Sequence, residues 1–64
     1  MKTLLQEVRR KNQITQKKLS MLSGISRKHI IDIENGKSIP TILTLCKLAK
    51  ALGVPVEELY ECDE

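Results

Sequence analysis

Apolar residues recur along this chain at helical rather than strand spacing. Leu4, Leu5 and Val8, with polar and charged side chains among them, predict a helix over residues 2–11, and Asn12 and Gln13 are suited to end it. Thr15 can cap a second helix by accepting from first-turn amides, with Leu19 and Leu22 forming its apolar face up to Ser23. Gly24 supplies the left-handed residue that reverses the chain, and Ile25 turns inward. Ser26 caps a third helix in which Ile30 and Ile33 share one face, leaving Arg27, Lys28, Ile31 and Asp32 elsewhere, and Asn35-Gly36 stops it. Thr41 caps a fourth helix with a broad stripe of Ile42, Leu45, Leu48, Ala49 and Leu52, closed by Gly53. Val54-Pro55 opens a short fifth helix whose Glu57 and Glu58 complement its positive end, with Leu59 and Tyr60 directed to the core. The pattern predicts an all-α fold of five short helices, without a strand of convincing alternation or an internal repeat.

Within that pattern, residues 16–35 form two short helices separated by the tight turn Gly24-Ile25-Ser26, a helix-turn-helix. A small reversing residue lets the second helix project by its N-terminal end, and Leu19, Ile25, Ile30 and Ile33 are the anchors that fix the crossing. A projecting helix fits the DNA major groove, where Arg27 and Lys28 are long donors able to reach guanine O6 and N7.

Charge sharpens this picture. The formal net charge of +3 divides into residues 1–50, with eleven bases against Glu7, Asp32 and Glu34, and residues 51–64, with five acids and no base. A basic body suits a polyanion, while the acidic tail, residues 61–64, is expected to face away from it. At 64 residues the chain is read as one small domain, residues 1–64, burying only about 60% of its unfolded surface, so function is expected on the outside. Two cysteines are too few for a disulfide framework, and the start lacks the apolar run of a signal peptide, so a cytoplasmic protein with reduced thiols is expected. Lys47 and Lys50 interrupt the most apolar segment, which falls short of the roughly 18 apolar residues of a membrane span.

The set Thr15-Gln16, Leu19, Gly24-Ile25-Ser26, Ile30, Ile33-Glu34, Gly36-Lys37 and Pro40, followed by Leu48-Ala49-Lys50-Ala51-Leu52-Gly53-Val54 and Glu58-Leu59, resembles the phage-repressor/Cro-like helix-turn-helix family. The resemblance covers nearly the whole chain and implies a five-helix DNA-binding transcriptional regulator. It implies phosphate contact for Gln16, which otherwise reads as a solvated side chain, and base reading for Arg27, Lys28, Ile31 and Asp32. Asp32 can accept from cytosine N4 or, four residues after Lys28, orient that lysine. Ile31 stands where a polar residue is common and suits a thymine methyl or plain exposure. Lys17, Asn35, Lys37 and Ser38 match the backbone-gripping positions, and His29 either approaches the backbone or packs at the edge of helix two. Arg9 and Glu34 match a structural ion pair between helices one and three. Ser20 departs from the usual small alanine of helix two, and its hydroxyl can still fit.

Other chemistry finds little support. No metal is expected, because His29 has no His or Cys partner at ligand spacing, and no cofactor, because the chain has no glycine-rich phosphate loop. No nucleophile with a base and no paired carboxylates suggest an enzyme. Cys46 reads as a buried thiol on the apolar side of helix four and Cys62 as an exposed one. The expected function is a sequence-specific regulator, most simply a repressor, binding double-stranded DNA as a homodimer on a roughly palindromic operator with recognition helices about 34 Å apart. The expected dimer surface is Ile39, Pro40, Val54, Pro55, Val56 and Tyr60. The competing reading is an interaction module or antitoxin-like protein that docks a protein partner through Met21, Ile31 and Leu43.

Overall fold

The computed structural model describes residues 2–62; Asp63 and Glu64, the last two residues of the acidic tail, lie outside the described residues. The chain runs β1 (Lys2–Thr3), α1 (Leu5–Lys11), α2 (Gln16–Ser23), α3 (Arg27–Glu34), α4 (Ile42–Leu52), a single 3-10 turn (Val56–Leu59) and β2 (Tyr60–Glu61).

The helix boundaries follow their capping residues. The hydroxyls of Thr15, Ser26 and Thr41 each accept from the backbone amide three residues on, those of Lys18, His29 and Thr44, at 3.0–3.1 Å. Gly24 and Gly53, both left-handed, terminate α2 and α4. Helix α1 ends at Asn12, and Gln13 carries the turn with φ +58°.

Two sequence expectations change at the chain ends. The first helix begins at Leu5 rather than Lys2, because Lys2–Thr3 pairs antiparallel with Tyr60–Glu61, Lys2 opposite Glu61 and Thr3 opposite Tyr60. The predicted fifth helix is one 3-10 turn: the Glu58 amide reaches back to the Pro55 carbonyl, but the Leu59 carbonyl accepts from the Leu4 amide at 2.8 Å, which draws the chain out into β2. The described residues therefore form four α-helices, one 3-10 turn and a two-stranded ribbon.

The core takes side chains from every helix. Leu5, Leu19, Ile30, Ile33, Leu48 and Leu59 are fully buried, with Leu45, Ala49 and Leu52 nearly so. Three expected core positions lie outside it. Leu22 is half-exposed beside Lys50 and Ala51 of α4. Ile42 is 63% exposed, since a first-turn side chain leans toward the helix start and off its end. Cys46 is exposed because its position on the helical wheel is about 110° from the middle of the stripe formed by Leu45, Leu48, Ala49 and Leu52.

Candidate nucleic-acid interface

Helix α3 is anchored from inside and open on its outer face. Ile30 and Ile33 are fully buried, so the opposite face presents Lys28, Ile31 and Asp32, with Arg27 at its edge in the first turn. Arg27 and Lys28 are exposed, whereas Ile31 and Asp32 are partly buried. Ammonium and carboxylate of Lys28 and Asp32 stand 3.4 Å apart along one face, an arrangement in which Asp32 can steer the lysine. Ile31 thus lies low among longer polar side chains.

The far end of α3 is fixed by a buried polar cluster. Arg9 of α1 donates from Nε to Glu34 Oε2 at 2.7 Å and from Nη2 to Oε1 at 3.2 Å, and its Nη1 holds the Ile14 carbonyl at 2.9 Å. The Glu34 side chain is only 1% exposed. Gln16, the first residue of α2, donates from Nε2 to the same Oε1 at 3.0 Å. This bidentate pair with its third donor links α1, α2 and α3, and it leaves no buried side-chain polar atom unpartnered among the described residues. Thr3 adds a hydrogen bond from Oγ1 to the Ile33 carbonyl at 3.3 Å, tying the terminal ribbon to the same helix end.

The loop after α3 folds back on it. The amides of Lys37 and Ser38 both point to the Asp32 carbonyl, at 2.8 and 3.3 Å, with Gly36 left-handed at φ +76°. Those amides are occupied, so the side chains remain for a ligand: Asn35 and Lys37 are exposed and Ser38 is partly buried. His29 is partly buried, and its backbone amide is held by the Ser26 hydroxyl. Lys17 is exposed at the start of α2. An open groove between α1, α2 and α3 is lined by Gln6, Arg10, Gln16, Lys17 and Arg27 among others.

Sequence reasoning placed Arg9 with Glu34 only through a resemblance and did not join Gln16 to them. The one signal was that Gln16 opens α2 next to the segment Arg9 must hold. Gln6 and Arg10 were not singled out, although their spacing of four puts them on one face of α1. The residues of the expected dimer surface differ in exposure. Pro40 is buried, and Val54, Val56 and Tyr60 pack against the core, so of that set only Ile39 and Pro55 are exposed. Among the described residues, no cluster of three or more His, Cys, Asp or Glu side chains could hold a metal ion, and no helix is long and apolar enough to cross a membrane.

A compact helical scaffold that presents a basic, outward helix start after a tight turn defines a DNA-binding helix-turn-helix protein. Residues 5–59 match the helix-turn-helix family model, and the chain belongs to this Cro/C1-type family of DNA-binding transcriptional regulators. It is 41% identical, over the full length of both chains, to a helix-turn-helix-type transcriptional regulator of Methanocaldococcus jannaschii. It is also 36% identical to the regulator PuuR of Escherichia coli over 88% of this chain and 30% of that protein. Its fold is similar to the crystal structure of the restriction-modification controller protein C.AhdI from Aeromonas hydrophila, with a TM-score of 0.83, 32% identity, and coverage of 88% of this chain and 85% of that one.

Proposed function

We propose that the protein is a sequence-specific repressor that binds a roughly palindromic DNA operator as a homodimer, α3 of each copy lying in the major groove. The observation that carries the reading is the asymmetry of α3: exposed Arg27 and Lys28 at one end, buried and triply held Glu34 at the other. A helix fixed at its C-terminus and basic at its N-terminus is placed to enter a groove end-on. In this reading Arg27 and Lys28 donate to base edges, Asp32 orients Lys28, and Ile31 packs against a thymine methyl. Gln16, Lys17, His29, Asn35, Lys37 and Ser38 lie along the flanking phosphates and set position rather than sequence.

A domain this small reads few bases, so a second copy is needed for specificity. Its surface includes Ile39 of the set expected from sequence, together with two neighbours on α4. Ile39, Ile42 and Leu43 are exposed together around the start of α4, an apolar group that solvent disfavours and a second copy would cover.

Selection from random-sequence duplex DNA tests the proposal. The expected product is an enriched site of two inverted half-sites about one helical turn apart. Enrichment of nothing, or of a site without symmetry, would contradict it.

A further inference from the structure

The groove between α1 and the helix-turn-helix holds more positive charge than the motif itself requires. On α1, Leu5 and Arg9 face inward, while Gln6 and Arg10, four residues apart, border the groove. Arg9 also lines it, but its three donor nitrogens are engaged by Glu34 and the Ile14 carbonyl. The cations with open donors are Arg10 from α1, Lys17 from α2 and Arg27 from α3. Among the described residues no carboxylate pairs with any of the three, and no carboxylate lines the groove. Three like charges from three helices, with no neutralising side chain between them, form a site that an anion relieves. Arg27 gives that anion its identity, because it is also the first residue of the helix whose next outward side chains are Lys28 and Ile31.

We propose that α1 is part of the DNA-binding surface: Gln6 and Arg10, together with Lys17, hold a backbone phosphate in this groove, beside the base-reading Arg27 and one register away from the phosphates gripped by Lys37 and its loop. The inference rests on the reading of α3 as the groove-entering helix. Arg10 supplies a planar, permanently charged donor and Gln6 an uncharged amide, so the pair can share one phosphate without adding a further charge to be neutralised. The footprint of the protein then extends along the backbone beyond the two helices of the motif.

Binding of a mixed-sequence DNA duplex, followed between about 50 and 200 mM salt for the wild type, Arg10→Ala, Lys37→Ala and Lys50→Ala, tests this. Lys50 lies on α4 in a different groove with Leu22 and Ala51, so its variant removes the same charge from another surface. Arg10→Ala is expected to lower the slope of log affinity against log salt by about 0.9, closing the gap to the wild type by about threefold across that range, while Lys50→Ala keeps the wild-type slope. Arg10 is exposed, so circular dichroism and the urea midpoint of its variant should match the wild type. A wild-type slope for Arg10→Ala, or an equal loss for Lys50→Ala, would overturn the α1 site. If Lys37→Ala lowers the slope and Arg10→Ala does not, the α1 site fails and the DNA-binding reading stands; if the wild type does not bind the duplex, both fail.

Discussion

Gln16, the first residue of α2, donates its side-chain amide to the Glu34 carboxylate at 3.0 Å, sharing Oε1 with Arg9. Glu34 ends α3, so this bond joins the start of one motif helix to the finish of the other, and Arg9 ties both to α1. The crossing of the helix-turn-helix is held by apolar packing on one side and by a charged hydrogen-bonded cluster on the other.

Glu34→Ala would leave the Arg9 guanidinium buried and unpaired. The expected cost is about 3–5 kcal/mol, which approaches the whole stability of a domain this size at roughly 0.05–0.15 kcal/mol per residue. Replacing both partners by apolar residues, Arg9→Met with Glu34→Leu, should cost less than Glu34→Ala alone, because no uncompensated charge remains. Urea unfolding of the three proteins checks this. A Glu34→Ala midpoint shifted no more than by a surface substitution, about 0.5 kcal/mol, would remove the cluster from its structural role.

Gln16 uses one amide hydrogen on Glu34, and the second is free to reach a phosphate. Gln16→Ala is expected to weaken binding to all DNA sequences by a similar factor while costing about 1.5–3 kcal/mol in stability, the range for a hydrogen bond to a charged group. Competition binding with matched and scrambled duplexes measures it. A loss confined to one sequence would assign Gln16 to base reading instead.

Gly24 sits at φ +77° with open space where a Cβ would stand, so only backbone preference opposes a side chain there. Gly24→Ala should cost about 1 kcal/mol, and Gly24→Asn less, since asparagine tolerates the left-handed region. Equal thermal midpoints for the alanine variant and the wild type would show that the turn does not need this conformation.

The caps, turns and buried positions of α2 and α3 were legible because each is encoded locally: Thr15 and Ser26 by the amides three residues on, Gly24 by a conformation few residues accept, Ile30 and Ile33 by helical spacing. What failed depended on distant partners. Lys2–Thr3 is a strand only because Tyr60–Glu61 lies beside it, and two-residue strands show no alternation to read. The same pairing draws the chain out of the 3-10 turn before a fifth helix can form. Ile42 and Cys46 read as core by apolar character, but burial on α4 depends on which side its neighbours occupy. Arg27 and Lys28 read as projecting donors from their place just after the turn, whereas Lys37 enters only through the family resemblance; the structure leaves all three exposed. The bond from Gln16 to Glu34 spans 18 residues and leaves no local mark in the sequence.

Leu43 is 62% exposed and makes no core contact that its loss would damage. If the start of α4 joins two copies, Leu43→Asp should convert the protein to a monomer with unchanged circular dichroism. Sedimentation at micromolar concentration reads this directly. A variant that stays dimeric would place the interface elsewhere, and a wild type that is monomeric both free and on DNA would refute the dimer.

In the proposed complex α3 reads sequence through its first turn while the following loop holds the backbone. Affinity of Arg27→Ala and Lys37→Ala for the selected operator and its single-base variants tests it most directly. Arg27→Ala is expected to lose about 1–3 kcal/mol of discrimination at one base position, whereas Lys37→Ala weakens every sequence alike and lowers the salt slope by about 1. Unchanged discrimination in Arg27→Ala, or the same uniform loss in both variants, would contradict it.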